Sequence, residues 1–290
     1  MNIFNLPKTE EGAIGFLQEK GLLPKIRFCI KGHEMKLVAK SRMWMCYKKE
    51  CMTRIKIRSG NFFENTRLPF VTCVRFFYAW ALDYTSCNYC KQELGMNKNT
   101  TVQWMGYMRE ACTHNLLNKP RKKIGGVGKI VEIDESLFTK RKNNAGRILP
   151  PQWIFGGLCR ETRECFLIQV PDRSAATLTK AISDNIEEGT TIYSDSWRGY
   201  KSNELEEAGF EHFKVNHRFN FIDPTTGAHT QTIERLWGSA KWRNKKQRGT
   251  ARHHLDSYLA EFMCRQEARN EDPFEWTLEM IVNLWPPQTQ

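Results

Sequence analysis

No apolar run in this 290-residue chain approaches the roughly 20 residues that a membrane-spanning helix needs, which excludes a helical membrane protein. No internal repeat and no low-complexity tract is present, so repeat arrays and compositional linkers are also set aside. The opening MNIFNLPKTEEG is acidic, which argues against a signal or transit peptide. Without a secretory leader, the ten cysteines read as thiols and metal ligands, not as a disulfide framework. Acidic residues are in short supply: 32 Asp and Glu stand against 44 Lys and Arg, for a formal charge of +12 and a pI near 9.2. In a chain 40% hydrophobic and 12% aromatic, that excess describes a folded protein with a polyanionic partner. The length suits two or three domains.

Residues 1–25 hold a short leading helix, with Ile14, Phe16, Leu17 and Leu22 on one face and Pro24 ending it. Residues 26–66 alternate basic and apolar positions and contain Cys29, His33, Cys46 and Cys51. Residues 67–118 read as helices. Phe70–Leu82 is apolar nearly all round and predicts a buried helix. Gly95 and Asn97 mark a turn before an amphipathic helix over Thr100–Ala111, a helix-turn-helix pattern. The basic, Gly-rich stretch 119–128 is a linker, and the grammar then changes to strands. Residues 129–290 read as one α/β domain, a mixed sheet flanked by helices and followed by C-terminal helices. Its expected elements are a strand over Lys129–Ile133, a hairpin of Trp153–Leu158 and Cys165–Val170, and a helix over Ala175–Ile186 capped by Ser174. A strand over Thr190–Tyr193, a short strand over Phe213–Val215 and helices over Thr230–Asn244 and Leu255–Glu267 complete it, with a loop over Phe219–His229.

Three acidic residues stand out. Asp134 is expected to end one strand, and Asp195 to follow the next long one. Glu234 opens a helix whose apolar stripe is Ile233, Leu236, Trp237 and Ala240. Asp, Asp and Glu on such a frame form an all-oxygen site suited to Mg²⁺ or Mn²⁺. A pair of such ions polarises a phosphodiester and activates water or a 3′-hydroxyl. Glu132 and Glu135 compete with Asp134 as ligands, and an Asp after a strand is commonly only a turn or cap residue. Lys241 lies two turns beyond Glu234 on the same side, where its amine would face a DNA phosphate.

Cys29-x3-His33-x12-Cys46-x4-Cys51 offers four soft ligands, suited to one tetrahedral structural Zn²⁺. Cys87-x2-Cys90 has no second pair nearby and reads as ordinary thiols. Residues 235–252 carry Arg235, Lys241, Arg243, Lys245, Lys246, Arg248 and Arg252 with no acidic residue among them. A charge run is usually a solvated face, but this one begins beside a candidate metal ligand and reads as DNA-backbone contact. The segments Lys119–Lys123 and Lys140–Arg147 add to the field. Trp242 sits off the apolar stripe and is the helical tryptophan best placed to touch DNA.

The segments VEIDESLFTKRK (131–142), WIFGGLCRET (153–162), IYSDSWRGY (192–200), VNHRFNF (215–221) and HTQTIERLWGSAKWR (229–243) resemble the Merlin and IS1595 (ISXO2-like) DDE transposases. The likeness extends upstream to residue 26 through RSGNFFENTRLPF (58–70). The length and the cysteine-rich start resemble Merlin more than the bacterial branch. Matched by position, the resemblance implies catalytic carboxylates at Asp134, Asp195 and Glu234 and a helical basic residue at Lys241. It places at His229 a histidine that supports the site or contacts DNA. It further implies an RNase H-like fold, two divalent metal ions, and cut-and-paste movement of an element with terminal inverted repeats by at least a dimer on double-stranded DNA. A eukaryotic host, the favoured case, would place this in the nucleus; a bacterial one, in the cytoplasm or nucleoid. The family's zinc ribbon opens with Cys-x2-Cys; here Gly32 takes the place of the second cysteine and His33 is the nearest ligand. An RNase H-like nuclease without strand transfer, and a DNA-binding regulator that keeps the fold without the chemistry, are the rival readings.

Overall fold

The computed structural model describes residues 3–120, 122–138, 151–216, 222, 227–246 and 251–289, with the side chains of residues 243, 244 and 246 outside that set. The basic stretch 140–147, most of the loop 219–229 and the side chains of Arg243, Lys246 and Arg248 therefore lie outside the described residues. The chain divides into two compact units: residues 1–116 with 268–290, and residues 117–267. No helix among the described residues is long and apolar enough to cross a membrane.

The first unit opens with α1 (Glu10–Glu19), started by Thr9, whose side chain accepts the Gly12 N–H. Three strands of three residues follow: β1 (Lys36–Val38), β2 (Met43–Met45) and β3 (Arg54–Lys56). They form an antiparallel sheet in that order. Helix α2 (Phe70–Ala81) buries Phe70, Cys73, Val74, Phe76, Phe77 and Trp80, as its apolar circumference predicts. Helix α3 (Cys87–Leu94) ends on Gly95 in the left-handed region, the usual C-terminal signal. Asn97 then accepts the Thr100 N–H, and α4 (Lys98–Asn118) runs about two turns past its expected end.

The second unit is built on one mixed sheet. Short β4 (Ile124–Gly125) leads to β5 (Ile130–Leu137), which pairs antiparallel with β6 (Trp153–Cys159). β6 pairs antiparallel with β7 (Cys165–Val170). Helix α5 (Ala175–Asn185) starts at Ser174, whose hydroxyl accepts the Thr177 N–H. Short β8 (Ile186–Glu187) pairs with β4, and β9 (Thr191–Asp195) lies parallel to β5 on its other side. Helix α6 (Ser202–Glu207) carries the chain to β10 (Glu211–Val215), parallel to β9. The sheet order is thus β10-β9-β5-β6-β7. An antiparallel three-strand meander with two parallel strands added beside its first strand is RNase H-like topology. Helices α7 (Gln231–Lys246) and α8 (Leu255–Glu267) follow.

Each face of this sheet has its own core. Val131, Ile133, Phe155 and Ile192 join Leu178 and Ile182 of α5 and Leu205 of α6. Ile154, Leu158 and Leu167 join Ile233, Leu236 and Trp237 of α7 and Leu255 and Leu259 of α8. Strand alternation explains the split, since neighbouring side chains leave opposite faces. It also corrects one expectation: Asp134 lies mid-strand, because pairing continues to Leu137 opposite Trp153.

The chain then returns to the first unit. Helix α9 (Pro273–Leu284), capped by Asp272 with proline at its start, buries Phe274, Trp276, Leu278 and Ile281. Phe274 meets Phe16 and Tyr78 at ring-centroid distances of 6.0 and 5.4 Å, and Trp276 stacks on Trp80 at 6.4 Å. The expected α/β domain therefore does not run to residue 290. An aromatic helix goes where an aromatic face is open to it, which sequence order does not reveal.

Candidate active site and metal sites

The parallel register sets Glu132 against Tyr193. Two residues further on, the same register brings Asp134 beside Asp195, the last residue of β9. Both carboxylates are oriented by donors. Asp134 Oδ1 accepts the Glu135 N–H at 2.8 Å, and its Oδ2 accepts the Trp237 indole N–H at 3.0 Å. Asp195 Oδ1 accepts the Trp197 N–H at 3.0 Å. Burial, then the charges of Glu135 and Asp195, push the Asp134 carboxyl up to about 7, against the opposing pull of its two donors. Burial, reinforced by Asp195, also raises Glu135. Glu135 Oε1 and the Tyr200 hydroxyl are both buried and face each other. Carboxylates whose charges crowd one another, as Asp134 and Asp195 do, suit an oxygen-coordinated divalent cation. Asp134 and Asp195 are the residues that would hold it.

Glu234 stands exposed in the first turn of α7. Asp134, Asp195 and Glu234 are not brought as close together as the soft ligands described below: among the described residues, only that Cys/His group has its ligand atoms all within 4.8 Å of one another.

Helix α7 is docked along the face of β5 that carries residues 132, 134 and 136, and each of the three makes a contact with it. Glu132, fully buried, accepts the Thr232 and Ile233 N–H groups at 2.8 and 2.9 Å. Those N–H groups are among the four a helix start leaves without partners. Asp134 accepts from Trp237, and Ser136 accepts from the Lys241 amine. Lys241 also lies 5.3 Å above the Phe138 ring. The lysine expected to face phosphate is therefore half-buried against β5. Glu132, left open above as a ligand, is engaged as a helix cap.

Arg160 completes the cap. Its Nε donates to Glu132 at 2.6 Å and its Nη2 to the His229 carbonyl at 2.7 Å, and its guanidinium stacks on Tyr193 at 4.7 Å. His229 Nδ1 sits 3.5 Å from Glu132 Oε1 without a hydrogen bond. Burial, then Arg160, lowers its pKa, against the opposing charge of Glu132. Arg173 is sandwiched between Trp153 and Trp197 at 4.0 and 4.1 Å, which braces the turn after Asp195. Sequence reasoning missed Glu132, Arg160, Arg173 and Trp237 as site-building residues. Their partners lie up to about a hundred positions away, and of the four only Glu132 was in view, as a rival metal ligand to Asp134.

The basic face is partly seen. Arg235 and Lys245 are exposed, and Trp242 is 59% exposed, off the apolar stripe as expected.

In the first unit, Cys29, His33, Cys46 and Cys51 come together. Cys29 and His33 sit in a tight turn closed by the Phe28–Glu34 bridge, where the His33 N–H reaches Cys29 Sγ at 3.3 Å. Cys46 follows β2, and Cys51 lies in the turn before β3. Cys29 and Cys51 sulfurs are 3.5 Å apart, and Cys46 Sγ is 3.7 Å from His33 Nδ1. A tetrahedral Zn²⁺ with bonds of about 2.1–2.3 Å separates its ligand atoms by about 3.4–3.8 Å. The donor set and spacing fit that ion. Hydrogen bonds with Thr53 bring the Cys51 thiol down to about 6, toward the thiolate a metal needs.

Comparison with known proteins follows the same division. A curated Caenorhabditis elegans protein, male abnormal protein mab-31, is 26% identical over 240 residues, 73% of this chain and 55% of its own length. This chain thus spans about half of that relative. An uncharacterized transposase-like protein of Haemophilus influenzae is 28% identical over 107 residues, 37% of this chain and 82% of its own. Among solved structures, the catalytic core domain of BIV integrase superimposes with a TM-score of 0.32 at 13% identity, covering 46% of this chain and 81% of that one. The HTLV-2 integrase catalytic core domain gives 0.33 at 14%, covering 48% and 86%. The ISXO2-like transposase domain model matches residues 124–267, from β4 to the end of α8. That span contains the mixed sheet, both aspartates and α7, and it is an ISXO2-like transposase domain of the IS1595 family.

Proposed function

We propose that this chain is a DNA transposase, a polynucleotidyl transferase that cuts at the terminal inverted repeats of its element and joins the freed ends to target DNA. The observation that carries this reading is the placement of Asp134 beside Asp195 on neighbouring parallel strands, within a transposase domain. Asp134, Asp195 and Glu234 would hold two Mg²⁺ or Mn²⁺ ions, which supply Lewis-acid stabilisation of the attacking and leaving oxygens when bound. The chain's own residues do the positioning. Glu135 N–H and Trp237 aim the Asp134 carboxylate; Trp197 N–H aims Asp195; Glu132 and Arg160 fix the start of the helix that bears Glu234. Glu234, exposed in the first turn of α7, is the third carboxylate of the set.

DNA is held by charge. Arg235 and Lys245, exposed on α7 as Trp242 is, would supply phosphate contacts together with Arg243 and Lys246 of the same basic run in the sequence. Cys29, His33, Cys46 and Cys51 hold one Zn²⁺ in a ribbon-like module that, with the helix-turn-helix of α3 and α4, recognises the element ends. Two ends are processed together, so a homodimer is the smallest working assembly.

The test uses the DNA flanking the gene. Inverted repeats bounded by a short direct duplication supply the substrate. Purified protein with Mg²⁺ or Mn²⁺ should nick at the repeat boundary and join it to a target plasmid. Cleavage without joined product would make it a nuclease instead; end binding without cleavage would make it a regulator.

A further inference from the structure

We propose that Trp237 is a positioning residue for the metal site: its indole N–H holds the Asp134 carboxylate in the orientation in which it accepts a divalent ion. The proposal rests on the metal reading of Asp134 above and adds to it a residue outside the carboxylates.

Three observations carry it. Trp237 is 6% exposed, and its Nε1 donates to Asp134 Oδ2 at 3.0 Å. An indole can only donate, so this bond requires a lone pair of the carboxylate and leaves the others for a cation. Because Glu135 N–H takes Oδ1, each oxygen receives one fixed donor and the group cannot rotate about its last bond without losing one of them.

The indole has a prepared floor. Gly156 pairs with Asp134 across the β5–β6 ladder. A Cβ there would lie 2.8 Å from Trp237 Cη2 and 2.8 Å from Leu167 Cδ2. The ring therefore occupies the space that a side chain on Asp134's strand partner would take. Phe138 closes the other side, edge-on at 5.8 Å.

The ring cannot slide along the strand either. Glu132 fixes the helix start one turn earlier and Lys241 meets Ser136 one turn later. Trp237 is the middle contact of three, and the only one of them that touches a proposed metal ligand. Partners of this kind, which orient a ligand without touching the ion, typically change metal affinity about 10–100-fold when removed.

The experiment measures Mn²⁺ binding directly, by the electron paramagnetic resonance signal of free Mn²⁺ titrated with the full chain. Four proteins are compared: wild type, Trp237→Phe, a protein with 3-benzothienylalanine incorporated at position 237, and Asp134→Asn. Benzothienylalanine keeps the shape of tryptophan and replaces the N–H by sulfur, so it guards against a phenylalanine variant that simply packs badly. Thermal unfolding on the same samples reports whether packing survives. Both N–H-less proteins should bind Mn²⁺ about 10-fold more weakly or worse, with the benzothienylalanine protein melting like wild type. Wild-type Mn²⁺ affinity in the benzothienylalanine protein, with binding lost in Asp134→Asn, would overturn the proposal and leave the metal site standing. Wild-type affinity in Asp134→Asn would overturn both.

Discussion

In the first unit, four ligand atoms lie within 4.8 Å of one another, on turns attached to three strands of three residues each. In the second, Asp134 and Asp195 are held side by side in a five-stranded sheet with a core on each face, while Glu234 stands exposed on a docked helix. The contrast is between a place where the ligands are complete and the scaffold is slight, and a place where the scaffold is complete and the ligands are left open. So small a module buries only Cys29, Met35, Trp44 and Cys46 as its own core. Too little apolar surface is removed from water there to hold a fold unaided, and a bound ion would supply the difference. A sheet with two cores needs no such help, so its carboxylates can stay crowded.

The sharpest way to break that contrast is to remove the soft metal. Purified protein should carry one Zn²⁺ per chain by elemental analysis. Cys46→Ser, or a strong chelator, should remove an apparent binding energy on the order of 10 kcal/mol and unfold residues 26–60. Residues 117–267 should keep their amide-exchange protection. A zinc-free protein with an intact ribbon would make these cysteines plain core thiols.

Next come the carboxylates, where the fold should survive and the chemistry should not. Asp134→Asn, Asp195→Asn and Glu234→Gln should each raise the cleavage barrier by about 4 kcal/mol or more, about a thousandfold in rate. End binding in a gel shift should stay near wild type, and so should the melting temperature. Full cleavage by any one variant removes that residue from the site.

The cap of α7 tests the scaffold itself. Glu132 is fully buried and paired with Arg160, so Glu132→Ala leaves a half-buried guanidinium and two helix N–H groups without their acceptor. Removing one partner of a buried pair costs about 3–5 kcal/mol, to be read as a lower unfolding midpoint in urea. A variant as stable as wild type would show that the cap is dispensable.

His212 offers a milder probe of the same unit. Its ring nitrogens lie 2.8 Å from Ser194 Oγ and 3.1 Å from Ser202 Oγ. Burial, then Lys214, lowers its pKa to about 4. The unfolded chain takes up a proton near 6.5 while the folded one refuses it. Stability is therefore fully present above about pH 6.5 and falls as pH drops toward 4. The urea midpoint of wild type should fall across that window, and that of His212→Gln should fall less.

The smallest effect separates two lysines on one helix. Lys245→Ala should lower the salt slope of DNA binding by about one unit, the signature of one phosphate contact. Lys241→Ala, whose amine is docked on Ser136, should cost about 1 kcal/mol of stability and leave the slope unchanged. Reversed signatures would turn the described helix face around.

Much of this was legible in the sequence where the signal is local. The apolar circumference of α2, the Ser174 cap, the β6–β7 hairpin and the bounds of α8 follow from periodicity and capping alone. The four soft ligands were legible from spacing, because turns fix short distances. What was not legible depends on partners far along the chain. β5 continues through Asp134, Glu135 and Ser136 because β6 pairs with all three, though the triplet looks like a loop. Glu132 is a poor strand residue until the N–H groups of Thr232 and Ile233 arrive a hundred positions later. Helix α9 carried a readable start in Asp272 and Pro273, yet nothing local says which unit it will join.

That last helix has a consequence for how the protein is made. Residues 117–267 are inserted within the chain of the first unit, and their two ends are tied by the Lys119–Glu267 ion pair at 2.7 Å. A ribosome delivers the whole inserted unit before it delivers Phe274 and Trp276. Until then Phe16, Tyr78 and Trp80 lack the rings that cover them. The inserted unit can close during synthesis, whereas the first unit must wait for α9 to emerge. The part of the molecule that begins first is thus the part that finishes last.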